Sequence, residues 1–197
     1  MKFSRLKFSI SVLIANWAVF LMTTDADRHV LGPLREKWGY SWDAFLTSPW
    51  HSLALSPFLH KDYAHICTNS LLLLVFTTAL EWTAGSAFTG ICYAVSMIAA
   101  NPLTSLLLIA AGLKSVAVWG LDIGASLGIF GTIGGLAVIG PRWRIPAALV
   151  GIAMIAHVCT TQDYKSLNHV TALIVGIGVL ALLLKKRKHS GKTELAH

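Results

Sequence analysis

The chain has 197 residues, of which 55% are hydrophobic and 13% charged, and its mean hydropathy is +0.64. Soluble domains carry about 25% charged residues, so this composition excludes an ordinary soluble protein and indicates an all-α, polytopic membrane protein. The net charge of +7 does not indicate nucleic-acid binding, because most Lys and Arg flank apolar runs and form no basic stripe interleaved with aromatic residues.

The first apolar run follows Lys2, Arg5 and Lys7 and lacks a small-residue cleavage site, which favours a membrane helix over a cleaved signal. The aromatic connection 25–62 predicts an amphipathic structure lying on the outer leaflet. Because about 20 apolar residues cross a bilayer as a helix, the sequence predicts six spans. They cover approximately 8–24, 63–83, 86–110, 124–140, 145–160 and 166–184.

The spans form one predicted domain, 1–190, followed by a short polar tail, 191–197. Asn101-Pro102 predicts a kink or an early end of the third span. With both termini inside, ten Lys/Arg lie inside and six outside, which favours an N-in, C-in orientation. No organelle-type transit segment precedes the first span, so we expect a bacterial or archaeal plasma membrane.

Four polar residues stand out because polar groups inside spans are costly and therefore functional candidates. His65, Ser126 and His169 each lie three or four residues past the last outer charge of their span, which places them about 5–6 Å below the outer interface. Asn69 lies one turn below His65 on the same face. Three separate spans thus bring a hydroxyl, two imidazoles and an amide to one depth, which indicates a site.

These residue types suit acyl transfer. A serine hydroxyl needs a base, and His169 is the candidate base for Ser126. Asn69, His65 and the free backbone N–H groups of the helix that begins near Ser126 are candidate oxyanion donors. No carboxylate lies within a span where it would orient His169, so the sequence favours a Ser–His dyad over a triad.

Small residues favour close packing of the fourth and sixth spans. Gly124, Gly128, Gly131 and Gly135 fall on one stripe of the fourth span, and the sixth span presents Ala172 and Gly176 below His169. Two small faces in contact would bring Ser126 and His169 within hydrogen-bond distance. Taken singly, each feature has a simpler structural interpretation: the glycine stripe as ordinary helix packing, Asn69 as an interhelical hydrogen-bonding residue, and the histidines as interfacial anchors. Their shared depth favours a site.

A metal site is the main chemical alternative, with His60, His65, His157 and His169 as ligands. His60 and His65 would be about 140° apart on a helix, and no Glu accompanies them, so we expect no metal. Three cysteines without close spacing argue against disulfides or a metal site and are interpreted as small core residues: Cys67, Cys92 and Cys159.

The order His60-x4-His65-x3-Asn69, Leu80-Glu81, Gly124-x-Ser126 and His169 with Gly176 resembles the rhomboid family, over about residues 45–184. The resemblance implies a six-helix bundle with a long interfacial first loop and a short fourth span. It implies an intramembrane serine endopeptidase without metal or cofactor, which cleaves transmembrane protein substrates near the outer face. Membrane lipids and these substrates are then the expected partners.

The resemblance also implies roles for individual residues. Ser126 resembles the nucleophile and His169 its base, while His65 and Asn69 resemble oxyanion-hole residues. Three supporting residues match too: His60 resembles a structural histidine, Gly124 belongs to the Gly-x-Ser motif, and Phe130 matches an aromatic residue that packs on the imidazole. Glu81 resembles a structural acid near the inner end of the second span.

Two positions depart from the family pattern: Leu127 and Ala172 stand where the family has glycine. A bulky residue at position 127 leaves open a catalytically impaired rhomboid-like protein that binds transmembrane partners. A transporter or channel is disfavoured, because the inner halves of the spans are almost entirely apolar and offer no polar path.

Overall fold

A computed structural model of the chain describes residues 6–115 and 122–193. Within these ranges the regular structure is helical, with isolated β-bridges joining Thr24 to Val30 and Tyr40 to Asp122. The helices are α1 (Lys7–Thr23), α2 (Gly32–Trp38), α3 (Trp42–Thr47), α4 (Pro49–Leu55), α5 (Tyr63–Ala84), α6 (Ser86–Ala110), α7 (Ser126–Ile139), α8 (Pro141–Thr161) and α9 (Leu167–Thr193). The all-α prediction is confirmed.

Four of these helices are long and apolar enough to cross a membrane: α5, α6, α8 and the segment Tyr164–Lys186 that contains most of α9. The apolar helices α1 and α7 are shorter, at 17 and 14 residues. The third span was predicted at about 86–110, and α6 has these bounds. Of the two alternatives predicted at Asn101-Pro102, a kink or an early end, the early end is excluded because α6 continues through Pro102. Neighbouring helices and local adjustments compensate for a proline in a membrane helix. The chain is an integral membrane protein.

Helix α7 forms the centre of the bundle. Every residue from Ser126 to Leu136 is buried, and α5, α6, α8 and α9 pack around it. Its 14 residues rise only about 21 Å at 1.5 Å per residue, less than the roughly 30 Å hydrocarbon core. Helix α7 is therefore too short to cross the hydrocarbon core by itself, and its first residue, Ser126, lies at one end of the bundle.

The glycines of α7 allow its neighbours to approach on several sides. A Cβ at Gly134 would lie 2.1 Å from the carbonyl oxygen of Leu173, and a Cβ at Gly176 would lie 1.9 Å from that of Gly131. The backbones of α7 and α9 are thus in direct contact. The glycine stripe was predicted to pack against the sixth span, which is α9, and this prediction is partly wrong. Cβ atoms at Gly128 and Gly131 would instead strike Tyr93 and Ser96 of α6. A helix surrounded on all sides needs small residues on more than one face.

The connection 25–62 contains α2, α3 and α4 and packs on the segment before Ser126. The Ser56 carbonyl accepts the Gly124 N–H at 2.9 Å, and Tyr40 and Asp122 exchange two backbone hydrogen bonds of 2.9 and 2.7 Å. Its Trp50 side chain is 82% exposed. The loop therefore supports the entry to α7 and also presents an aromatic residue to its surroundings.

Of the three cysteines, Cys92 alone is buried, while Cys67 is partly buried and Cys159 is exposed on α8. All three are free thiols. The interpretation of all three as core residues is therefore wrong for Cys159. An apolar stretch in a membrane helix has faces toward lipid as well as toward protein, and hydropathy does not distinguish them.

Candidate active site

The Ser126 hydroxyl and the His169 imidazole meet at one end of the bundle. Ser126 is the first residue of α7, His169 lies in the first turn of α9, and Oγ is 2.9 Å from Nε2. The Phe130 ring lies one turn beyond Ser126 and packs on the imidazole, with 4.6 Å between ring centroids. This arrangement allows the hydroxyl to donate to Nε2 and restricts the orientation of the ring.

His65 faces the same point from α5. Its Nδ1 accepts the backbone N–H of Lys61 at 3.2 Å, so the neutral ring carries its proton on Nε2. Its own backbone N–H is bonded to the Asp62 carboxylate at 2.8 Å, which caps the start of α5. Nε2 is therefore a hydrogen-bond donor directed toward the backbone that precedes Ser126.

Gly124 is required by both conformation and space. Its φ is +120°, and a Cβ there would lie 2.7 Å from Cε1 of His65 and 3.3 Å from Nδ2 of Asn69. A φ in this region is unfavourable for L side chains. The histidine and the asparagine thus lie against the backbone two residues before Ser126.

Asn69 is 4% exposed, and its Nδ2 has no hydrogen-bond acceptor among the described residues. A buried donor without an acceptor costs about 1–3 kcal/mol, so an arriving ligand oxygen would bind there favourably. The first N–H groups of α7 also lack acceptors within their helix. Asn69, His65 and the start of α7 together surround a place suited to a negatively charged oxygen.

A polar cavity of ≈ 270 Å³ opens beside the dyad. Its lining includes His65, Ser126 and His169 together with residues of the α8–α9 connection, among them Asp163 and Ser166. Among the described residues, no carboxylate is hydrogen-bonded to His169, although Asp122 and Asp163 line the same cavity. The cavity is large enough for several water molecules or for a few atoms of a substrate.

His60 lies close to His65, with 5.1 Å between ring centroids, and is completely buried. The expectation that the two do not share a face is wrong, because it assumed a common helix and α5 begins only at Tyr63. His60 Nδ1 donates to the Phe58 carbonyl at 3.1 Å. Burial, and to a lesser extent the charge of His65, lowers the pKa of His60 to about 4.

The structure separates His157 from the other three histidines considered as metal ligands. His157 is exposed on α8 and does not line the cavity. Within residues 6–115 and 122–193, no group of three or more His, Cys, Asp and Glu side chains is arranged to hold a metal ion. A non-metal mechanism therefore remains our prediction.

A second polar cluster, absent from the sequence-based site, links three elements beside the dyad. The Asp122 carboxylate accepts the side-chain amides of Asn101 and Asn168, each at 2.9 Å, and Asn168 also donates to Asn101 at 3.1 Å. Asn101 belongs to α6, and Asn168 directly precedes His169. Two buried amides in apolar spans were the available signal, whereas Asp122 counted only as a marker of the outer boundary.

Leu127 points away from the cavity. It is 3% exposed and packs in a cluster with Ala100, Phe130 and Ala172, and it is absent from the cavity lining. The two alanines, on α6 and α9, provide room for the larger side chain. Both departures from the family pattern therefore occupy one packing cluster and leave the space in front of Ser126 open.

A family model described as Rhomboid domain matches residues 47–186 of the chain. The match begins at the end of α3 and extends through the membrane-crossing part of α9, so it includes the dyad, both candidate oxyanion side chains and Glu81. No curated protein and no solved structure matches the chain.

Proposed function

The chain belongs to the rhomboid family, and on that premise we propose that it is an intramembrane serine endopeptidase that uses Ser126 and His169 as a dyad. The observation that carries the proposal is the 2.9 Å separation of Ser126 Oγ and His169 Nε2. A polar cavity lies beside them, and the buried Asn69 Nδ2 has no acceptor in the part of the chain that the structure describes. Nucleophile, base and oxyanion donors are the three parts that acyl transfer requires.

In the proposed reaction, His169 Nε2 takes the hydroxyl proton as Ser126 Oγ attacks the carbonyl carbon of the scissile peptide bond. The resulting oxyanion accepts hydrogen bonds from Asn69 Nδ2, His65 Nε2 and the first N–H groups of α7. Each such donor contributes about 3–4 kcal/mol to the transition state. His169 then protonates the leaving amine, and water, activated by the same imidazole, hydrolyses the acyl-enzyme.

The substrates proposed are transmembrane proteins. The sequence places Ser126 about one helical turn below the outer interface, and the short helix α7 is compatible with that depth. On this proposal a scissile bond is presented within the outer part of the bilayer. A peptide bond inside a helix has its carbonyl bonded and shielded; segments that unwind readily at small residues therefore suit the site. This proposal includes the N-in, C-in orientation of a plasma-membrane protein, and it requires no cofactor.

The alternative is a rhomboid-like protein that binds transmembrane partners without cleaving them, an alternative suggested by Leu127. The packing of Leu127 against Ala100 and Ala172 removes the main reason for it. The side chain does not narrow the cavity, and the backbone N–H of residue 127 remains at the start of α7.

The proposal is tested by labelling the purified protein with a fluorophosphonate probe in detergent and by measuring cleavage of a model transmembrane substrate. Wild-type protein should be labelled at Ser126, and Ser126→Ala and His169→Ala should each reduce cleavage by about 10³-fold or more, with thermal unfolding unchanged within a few degrees.

The matched control is Ser96→Ala, which removes a completely buried hydroxyl of α6 that faces Gly131 rather than the cavity. It should keep both labelling and cleavage. Labelling that persists in Ser126→Ala, or a folded wild-type protein that is never labelled, would contradict the dyad and favour the non-catalytic alternative.

A further inference from the structure

A second cavity, of ≈ 260 Å³, lies at the end of the bundle opposite Ser126, where α5 ends and α8 begins. Helix α5 has 22 residues and so separates the two ends by about 33 Å. The lining residues include Leu6, Ala79, Trp82, Thr83, Arg142 and Trp143. An adjoining cavity of ≈ 340 Å³ shares Thr83, Arg142 and Trp143.

We propose that this pair of cavities, here called the α5–α8 pocket, binds an anionic glycerophospholipid. The first argument is charge. Arg142 is exposed, and no carboxylate among the described residues forms an ion pair with it. Its guanidinium lies 5.8 Å from the centroid of the Trp143 ring. Guanidinium groups bind phosphate oxygens through two parallel hydrogen bonds, so a lipid phosphate supplies the missing anion.

The second argument is an unpaired donor. The Trp143 Nε1–H is buried and has no acceptor among the described residues. The Phe76 ring packs edge-on against this indole, with centroids 6.3 Å apart, and so limits its reorientation. A buried N–H without an acceptor is costly, and a phosphate or ester oxygen beside Arg142 would satisfy it.

The third argument distinguishes a lipid from a free phosphate. The walls are mostly apolar, and on α8 the apolar surface continues beyond the pocket through Ile145 and Leu149, which are 72% and 60% exposed. Acyl chains would lie along this surface while the headgroup contacts Arg142. Basic pockets between membrane helices are a known physical arrangement for anionic headgroups, and the N-terminus of α8 adds a favourable dipole.

The test titrates the full-length protein in detergent with dioleoyl-phosphatidylglycerol or dioleoyl-phosphatidylcholine and counts retained lipids by native mass spectrometry. Phosphatidylglycerol should bind about tenfold more tightly than phosphatidylcholine. Arg142→Gln should weaken phosphatidylglycerol binding about tenfold, and Trp143→Phe, which keeps an aromatic ring but removes the N–H, about fivefold.

Arg144→Gln is the matched control, because it removes the same charge from the same turn of α8 at a residue that does not line the pocket. It should change the affinity for phosphatidylglycerol less than twofold.

Equal losses of affinity in Arg142→Gln and Arg144→Gln would overturn the proposal in favour of diffuse electrostatic attraction. Glycerol 3-phosphate that competes as well as the lipid would overturn the lipid assignment in favour of a small anion. Should Arg142→Gln misfold, Trp143→Phe decides alone, and unchanged affinity in that variant overturns the proposal.

Discussion

Two polar side chains on the same helix, Asn69 and Glu81 of α5, are equally buried and bonded very differently. They are 4% and 1% exposed. Glu81 accepts the backbone N–H groups of Phe8 and Ser9 at 2.8 and 2.9 Å, and the hydroxyls of Ser9 and Ser86, both at 2.6 Å. Asn69 Nδ2, twelve residues earlier, has no acceptor among the described residues.

This difference in hydrogen bonding matches the structural role of Glu81 and the ligand-binding role that the proposed function gives Asn69. Glu81 satisfies the free N–H groups at the start of α1 and so joins α1 to α5. The family resemblance implied a structural acid here but did not name its partners. Asn69 instead leaves its donor beside Gly124, which is where the proposed mechanism places the substrate oxygen. A buried polar group in a membrane bundle is therefore better interpreted by its bonding than by its burial.

The largest expected effect is on Asn69. Asn69→Ala should reduce kcat by about 10²–10³-fold, because one oxyanion donor contributes about 3–4 kcal/mol. Thermal stability should be nearly unchanged, since the amide nitrogen has no acceptor within residues 6–115 and 122–193. Asn16→Ala, which alters a buried asparagine of α1, should keep kcat within about twofold. A large loss of stability with normal kcat in the Asn69 variant would reverse this assignment.

Glu81 should show the opposite pattern. Glu81→Ala leaves the N–H groups of Phe8 and Ser9 without their acceptor, and we expect it to lower the free energy of unfolding by about 3 kcal/mol. Activity per folded molecule should stay within about twofold. Glu36→Ala, at an exposed position of α2, should change stability by less than about 0.5 kcal/mol. Denaturation in detergent micelles measures the stability of the two variants and of the wild-type protein. If Glu81→Ala is as stable as Glu36→Ala, the structural role of Glu81 is contradicted.

Acid should lower the free energy of unfolding, because protonation of His60 destabilises the end of the bundle where Ser126 lies. Its folded pKa of about 4 lies below the ordinary value of 6.5, so the unfolded state binds the proton more readily. The stabilising contribution is complete above pH 6.5 and declines as pH falls toward 4, by about 2 kcal/mol between pH 6.5 and 4.5. His60→Gln should flatten this part of the stability profile, and an unchanged slope in that variant would assign the acid sensitivity elsewhere.

The smallest effect is expected at Asp122. This residue lines the cavity, as a functional group would, and its carboxylate also accepts hydrogen bonds from Asn101 of α6 and Asn168 of α9, as a structural group would. Asp122→Ala should lower kcat about tenfold, or about 1.4 kcal/mol, with KM nearly unchanged, because His169 and Ser126 lose a common support. Asp122→Asn keeps an acceptor oxygen and should recover most of the activity. Asp43→Ala, on the exposed side of α3, serves as the control. If Asp122→Ala raises KM alone, the residue contacts substrate instead.

Several predictions from local sequence agree with the structure because their physics is local. The fourth span was predicted to end at residue 140, and α7 ends at Ile139. The fifth span was predicted from residue 145, whereas α8 begins earlier, at Pro141, since proline suits a first helical position. The similar offsets of His65, Ser126 and His169 from the nearest outer charge, three or four residues, predicted one depth for them. All three line one cavity. The roles assigned to them remain predictions.

Other features depend on how the helices are rotated around α7. Leu127 was expected near the nucleophile, yet its side chain points into the α6–α9 packing. The glycine stripe contacts α6 more than α9, and Asp122 joins Asn101 and Asn168 across long stretches of sequence. The spacing of apolar residues predicts how a helix is rotated only when one face is buried and the other is exposed. Helix α7 is buried on every side, so its spacing does not predict which neighbour each residue contacts.

The sequence by itself determined that this protein is a membrane protein built from apolar helices, and it pointed to three polar residues that line one cavity. Transfer into lipid depends on residue type and on position along the chain, which is why both could be predicted. Only the tertiary structure decided which donors face Ser126, which way Leu127 points and which carboxylate is satisfied. Those outcomes depend on helix rotation and on the return of the 25–62 loop over α7, and hydropathy does not encode either one.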